Sequence, residues 1–331
     1  MKRILTAVVL IPVVLLIVLR APLWLFAVAV ALVAFLAMRE YLDIIQHYGI
    51  KPFRKIALLA SVLACLLPGA RAFVEGRGLQ ISRDFGDSFS FYGIAIRSSY
   101  LISLQAAHLI NAILATLPLW LLLLALRRID FKQAVPDAAL TALGYAYVAI
   151  PLALLVYVRA VSDGAFLMVF LFAVVWVGDA AAYYIGKNFG RHLLAPSLSP
   201  KKTWEGSVAS VFGSIAIVCL LYYGRRWPWA HSMFGSNIAT VISLENYPGG
   251  KIASFVTAII LAIAINIAAQ LGDLVESMIK RGAGIKDSGS ILPGHGGMLD
   301  RIDALLLAIP VLYFYAMITG FNHLFQPIVI P

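Results

Sequence analysis

Near the C-terminal end of the chain, Asp273, Glu276, Ser277 and Lys280 follow one another at i, i+3, i+4 and i+7. On a helix that spacing lines one face. Further on, His295 stands among Gly294, Gly296 and Gly297, and Asp300, Arg301 and Asp303 come directly after. Asp300 and Asp303, three apart, share a face once a helix begins there. Carboxylates offer the hard oxygen ligands that suit Mg²⁺. Lys280, Arg281, Lys286 and Arg301 offer cations for phosphate, and a glycine turn presents backbone N–H groups to the same anion.

Two earlier stretches add to this set. Asp179 sits inside an apolar run with Tyr183 one turn on, and "SPKKTWEG" opens another run at Ser199. Ser199 and Pro200 suit an N-cap and a first helical position. Lys201 and Lys202 then lie at a helix N-terminus, where the dipole disfavours positive charge and a bound anion relieves the conflict. Thr203 belongs to the same anion-binding group. Each piece has a plainer reading: a topology anchor for the lysines, a turn for the glycines, a loop hydrogen-bonder for His295, a cap and salt bridge for Asp300 and Arg301. Their falling together on one side of the membrane outweighs those readings. The chain has no Cys/His zinc spacing, no G-x-x-x-x-G-K-[ST] loop and no G-x-S-x-G elbow.

The elements that must position these groups are transmembrane helices. Of 331 residues, 62% are apolar and only 13% charged, against about a quarter charged in a soluble domain. Apolar runs at about 4–19, 22–38, 56–69, 101–126, 137–157, 165–186, 203–222, 253–274 and 302–321 predict an all-α polytopic membrane protein of about nine spans. The N-terminal run resembles a signal peptide but lacks a small-x-small cleavage site, so it reads as an uncleaved first span. With the N-terminus cytoplasmic and the C-terminus outside, about two thirds of the 26 Lys and Arg fall on the cytoplasmic side, as the positive-inside bias requires. Residues 1–160 read as a lipid-facing and dimerising transmembrane region and 161–331 as the catalytic one, within one membrane domain. Cys65 and Cys219 lie inside apolar runs and read as small buried hydrophobes. "WVGDAAAYYIGK" and "QLGDLVESMIK" share a Gly-Asp followed by a Lys.

The stretch "SMIKRGAGIKDSGSILPGHGGMLDRID", Ser277 to Asp303, resembles the C-terminal pattern of the phosphatidate cytidylyltransferase family with no departure at its fixed positions. "GDAAAYYIGKNFGR" and "SPKKTWEG" are similar to that family's middle segments, so the specific likeness covers about 175–303. The resemblance implies an integral enzyme of the bacterial inner membrane, a homodimer with its active site facing the cytoplasm. It implies that CTP and phosphatidic acid give CDP-diacylglycerol and pyrophosphate, with Mg²⁺ and room for a second cation. Membrane lipids are its surroundings, and no nucleic-acid partner is expected.

On that reading Asp273, Asp300 and Asp303 are the metal ligands, with Asp179 and Glu276 as a second tier. Asp273, Asp300, Lys280 and His295 carry the catalysis. Lys201, Lys202, Thr203, Ser277, Arg281, Lys286 and Arg301 bind substrate, and Gly294, Gly296 and Gly297 form a phosphate-cradling turn. A phosphate monoester is already largely dianionic above its second pKa of about 6, so a strong general base is unnecessary. The closest rivals are a lipid-alcohol kinase or an ether-lipid cytidylyltransferase, told apart by product. An ion-coupled transporter is a more distant one, because its charges would line a path across both leaflets.

Overall fold

The computed structural model of the protein describes residues 2–85, 109–161, 164–224, 250–291 and 296–324. Backbone polar groups in hydrocarbon must be satisfied within the segment, so apolar runs of this length become helices. They are α1 (Lys2–Arg20), α2 (Leu23–Gln46), α3 (Arg54–Phe85), α4 (Leu117–Ala125), α5 (Phe131–Gly144), α6 (Ile150–Ala160), α7 (Gly164–Phe189), α8 (Trp204–Gly224), α9 (Gly250–Gly282) and α10 (Leu299–Leu324). One π-turn, Tyr145–Ala149, joins α5 to α6.

Among the described residues, six helices are long and apolar enough to cross a membrane: Leu23–Gln46, Phe131–Ala160, Gly164–Phe189, Trp204–Tyr223, Phe255–Gly282 and Leu299–Ile318. Six of the expected spans fall on these. The runs 4–19 and 56–69 fall on α1 and α3. The run 101–126 lies partly outside the described residues.

The all-α expectation needs one amendment. Between α7 and α8 the chain forms an antiparallel hairpin of β1 (Leu193–Ala195) and β2 (Ser199–Thr203), with Leu193 opposite Thr203 and Ala195 opposite Ser199. Ser199 and Pro200 are therefore strand residues and not a helix start. The cap is Thr203, whose Oγ1 accepts the N–H of Gly206 at 3.2 Å, three residues on. Starting α8 at Trp204 keeps Lys201 and Lys202 off the positive end of its dipole and puts Glu205 in its first turn.

The chain divides into two compact units. One comprises Arg20–Ala160 and Ser288–Leu299, the other Met1–Leu19, Val161–Asp287 and Asp300–Pro331. In the first, Tyr41 of α2 is 1% exposed and donates its hydroxyl to the Leu140 carbonyl at 3.1 Å, and its ring packs where Gly144 has no side chain. The turn after α2 is clamped by buried Asp137, which accepts the Lys51 N–H at 2.8 Å, while Arg128 donates to the Lys51 carbonyl and lies over the Phe53 ring. These contacts fix α2 against α5 at the helix ends.

In the second unit α7 and α8 approach closely because small residues line their seam. A Cβ on Gly213 would stand 2.7 Å from that of Ala181, and one on Gly206 would meet the Ala182 carbonyl oxygen at 2.9 Å. Across the seam with α9 runs a ladder of amides and hydroxyls. Asn266 donates to the hydroxyls of Ser210 and Ser214 at 2.8 Å each, Ser214 donates to the Val174 carbonyl, and Gln270 donates to Asn266 Oδ1 at 2.7 Å. Ser207 caps the ladder by donating to Gln270 Oε1.

Candidate active site

The β-hairpin, the cytoplasm-directed end of α7 in the expected topology, and the facing turns of α8 and α9 enclose a cavity of about 640 Å³. That volume lies in the range of small-molecule sites. Lys187, Lys201, Lys202 and Thr203 line it, with Asp179 and Asp273 on the opposing helices and Ser207, Ser210 and Gln270 at its inner wall. Three of these cations come from two elements, the last turn of α7 and β2, so the hairpin is what brings Lys201 and Lys202 to the helix carboxylates. Lys202 Nζ stands 2.6 Å from Asp273 Oδ2. Asp179 is within electrostatic reach of both.

The paired Gly-Asp steps noted in the sequence have a shared local cause. A Cβ on Gly178 would lie 2.4 Å from the Asn266 amide nitrogen, and one on Gly272 would lie 2.5 Å from the Asp303 carbonyl oxygen. Each glycine lets a neighbouring helix come up to the backbone, and the aspartate that follows it emerges beside that contact.

Further along the same face of α9 is a second charged cluster. Lys280 Nζ is 2.5 Å from Asp300 Oδ1 at the start of α10 and 2.5 Å from Glu276 Oε2 one turn back. Glu276 is 1% exposed and its Oε1 has no hydrogen-bond partner. Asp303 lies within electrostatic reach of Asp273, Glu276 and Lys280, and Ser277 donates to Asp273 Oδ1 at 3.4 Å. The four-residue spacing read from the sequence thus does line one face of one helix. Arg281 is turned to the hairpin, donating to the Leu198 carbonyl at 3.4 Å, and to the Ile285 carbonyl at 3.1 Å. Lys286 and Arg301 are exposed.

The glycine stretch is divided. Gly294 and His295 lie outside the described residues. Gly296 adopts φ of +79°, a left-handed conformation that glycine alone takes without strain. Gly297 is buried, and a Cβ there would lie 2.3 Å from Glu40 Oε2. Glu40, on α2, accepts from the Ser288 hydroxyl at 2.8 Å and from the Met298 and Leu299 N–H groups at 2.9 and 2.8 Å.

The donor set suits a divalent cation. Asp273, Glu276, Asp300 and Asp303 are grouped with Lys202 and Lys280, and among the described residues the buried Glu276 Oε1 has no hydrogen-bond partner. Hard carboxylate oxygens are what Mg²⁺ takes. No three His, Cys, Asp or Glu side chains among the described residues stand together as a ready metal cage.

Several residues of the site escaped the sequence reading. Gln270, Asn266, Ser207 and Ser210 left a signal, since Asn266 and Gln270 are four apart on α9 and the serines recur at helical spacing on α8. Lys187 ends an apolar run and reads as a topology anchor. Glu40 left none, because its partners lie more than 240 residues away.

Comparison with known proteins shows the family. A phosphatidate cytidylyltransferase of Haemophilus influenzae is 38% identical over 160 residues, 48% of this chain and 49% of that protein. One of Synechocystis is 29% identical over 301 residues, 89% of each chain. One of Brucella suis is 41% identical over 151 residues, 46% of this chain and 47% of that protein. The matched stretch thus spans about half the length of the first and third relatives. A model of the cytidylyltransferase family matches residues 1–319, and the chain accordingly belongs to the cytidylyltransferase family.

Proposed function

We propose that this chain is a phosphatidate cytidylyltransferase that makes CDP-diacylglycerol from CTP and phosphatidic acid. The observation that carries the reading is the cavity in which Lys187, Lys201 and Lys202 face Asp179 and Asp273 within a helical membrane protein. A site for two polyanions needs both cationic side chains and metal-binding carboxylates, and few other reactions need them at the end of apolar helices. Relatives bearing the name of this activity are 29–41% identical.

In the reaction an oxygen of the lipid phosphate attacks the α-phosphorus of CTP. The bond from that phosphorus to the bridging oxygen of the β-phosphate breaks, and pyrophosphate carries away the electron pair. The nucleophile is already anionic, so the protein's task is to neutralise and align the two reactants. Lys187, Lys201 and Lys202 supply positive charge in the cavity, and the Thr203 hydroxyl, held at the α8 N-terminus, orients the lysine-bearing strand. Lys280 supplies charge beside Asp300. Asp273, Asp300 and Asp303, with Glu276 and Asp179 behind them, would hold Mg²⁺, whose contribution is charge stabilisation on the phosphates.

The same reading has the N-terminus in the cytoplasm, the C-terminus outside, and the site on the cytoplasmic face of a bacterial inner membrane, the side that holds CTP. The clustering of Lys201, Lys202, Lys280, Arg281 and Lys286 at one end of their helices supports this under the positive-inside bias. A homodimer belongs to the reading as an implication of the family resemblance.

The test is incubation of purified protein with CTP labelled in the cytidine, phosphatidic acid and Mg²⁺, followed by lipid extraction. Label is expected in the lipid phase with release of pyrophosphate, and none without the divalent ion. Release of free CDP with a newly phosphorylated lipid would identify a kinase instead, and ion flux without CTP consumption would identify a transporter.

A further inference from the structure

We propose that Glu40 is a positioning residue that ties together the described ends of the glycine segment, Ser288 at one and Met298–Leu299 at the other. This rests on the reading that the motif Ser277 to Asp303 is catalytic. Glu40 is 3% exposed, although it is a carboxylate near the C-terminal end of the apolar helix α2, between Arg39 and Tyr41. Burying a carboxylate is costly unless it is hydrogen-bonded, and Glu40 takes the Ser288 hydroxyl at one end of the segment and two consecutive N–H groups, Met298 and Leu299, at the other. The two oxygens divide the task. Oε1 takes the Met298 N–H, and Oε2 takes the Leu299 N–H and the Ser288 hydroxyl.

The described ends of the segment are shaped around this side chain. The three atoms nearest a Cβ on Gly289 would all be Glu40's, its Oε1 at 2.7 Å, Cδ at 2.9 Å and Cγ at 3.2 Å. A Cβ on Gly297 would meet Ser288 Oγ at 2.1 Å and Glu40 Oε2 at 2.3 Å. Two glycines of the motif thus leave room for an internal carboxylate. The N–H groups at the head of α10, which in other proteins receive a ligand anion, are here given to Glu40. The next residue after Leu299 is Asp300, a candidate metal ligand, so the anchored backbone leads directly into it. Glu40 itself is held by its neighbour, since Tyr41 is buried, hydrogen-bonded to Leu140 and packed on Gly144.

The chemistry sets which substitutions matter. Glu40→Gln keeps the size but replaces one acceptor oxygen by an amide donor facing an N–H. Glu40→Ala opens space beside Gly289. Hydrogen–deuterium exchange of the full-length protein in nanodiscs, read on peptides covering 288–299, tests the positioning whether or not the protein makes CDP-diacylglycerol. Faster exchange at Met298 and Leu299 in Glu40→Gln, with unchanged exchange along α7 and α8, is expected; unchanged exchange at those two amides overturns the proposal. A wild-type protein that forms no CDP-lipid would instead sink the functional reading and leave the exchange result standing.

Steady-state kinetics supply the second arm. Glu40→Gln should lower kcat at least tenfold with KM for CTP changed less than threefold, and Glu40→Asp should recover part of kcat. In a double-mutant cycle Gly289→Ala should lower kcat severalfold in the wild-type background and have little further effect in Glu40→Ala, since the three atoms nearest its Cβ all belong to Glu40. Additive losses in the cycle overturn the proposal, and so does a kcat in Glu40→Gln within twofold of wild type. If Glu40→Gln does not accumulate, Ser288→Ala removes one of the three donors and should raise exchange at 298–299 by a smaller factor; no rise overturns the proposal equally.

Discussion

A Cβ added to Gly272 would stand 2.5 Å from the carbonyl oxygen of Asp303. That near-contact of α9 with α10 is what sets Asp273, the next residue of α9, beside Asp303. A side chain at 272 must push the helices apart, because the opposing atom is backbone and cannot rotate away. Overpacking of this kind costs about 1–3 kcal/mol. Gly272→Val should therefore lower the melting temperature moderately but lower kcat much more, at least tenfold, by separating the two carboxylates. A variant with wild-type turnover would show that Asp273 and Asp303 do not work together.

Lys280 is shared between two carboxylates at 2.5 Å each, and both Lys280 and Glu276 are buried. Removing the cation leaves an uncompensated buried charge, at a cost of about 3–5 kcal/mol. Lys280→Met should strongly destabilise the protein in detergent. Adding Glu276→Gln removes the orphaned charge and should restore much of the melting temperature. On the proposed reading activity should not return, because Lys280 also pairs with Asp300 and would face the phosphates. Recovery of both properties together would reduce Lys280 to a structural ion pair.

The ladder through Asn266 predicts a different balance. Asn266 donates to Ser210 and Ser214 across the α8–α9 seam and accepts from Gln270 one turn on along α9. Bonds of this type between membrane helices average about 0.6 kcal/mol each, so Asn266→Leu should lose about 1–2 kcal/mol. Gln270, which lines the cavity, then keeps only its bonds to Ser207 among those described, so KM for CTP should rise while kcat changes less. Ser214→Ala, which touches only the far end of the ladder, should lower stability slightly and leave KM alone. Equal KM effects from both variants would detach the ladder from substrate binding.

How much of this was legible in the sequence differs residue by residue. The face of α9 with Asp273, Glu276, Ser277 and Lys280 was readable because helical periodicity is local and the helix runs unbroken from Gly250 to Gly282. The start of α8 was not. Ser-Pro followed by a hydrophobic run is a fair cap signal, but the pairing of Ser199–Thr203 with Leu193–Ala195 is a non-local choice that overrides it. The two Gly-Asp steps showed up as a repeated pattern, while their reason, a neighbouring backbone lying where a Cβ would go, needs three dimensions. Glu40 sits at the far limit. Nothing in "AMREYLD" distinguishes a buried ligand of a distant loop from a charge at a span end, because its three donors are all contributed by residues beyond 287.

The pairing of Lys202 with Asp273 at 2.6 Å makes the lysine a competitor for any divalent cation at that carboxylate. The two partners should then move the metal requirement in opposite directions. Asp273→Asn removes a charged ligand and should raise the Mg²⁺ concentration for half-maximal rate more than tenfold, with kcat greatly reduced. Lys202→Met frees the carboxylate, so half-saturation by Mg²⁺ should fall, although KM for CTP rises because a phosphate-facing cation is lost from the cavity. Lys202→Arg should keep the CTP affinity close to wild type. Mg²⁺ titrations of initial rate at saturating CTP read both effects. A rise in the Mg²⁺ requirement of Lys202→Met, parallel to that of Asp273→Asn, would mean that the lysine helps to build the metal site, and the exchange of ammonium for metal at Asp273 would have to be abandoned.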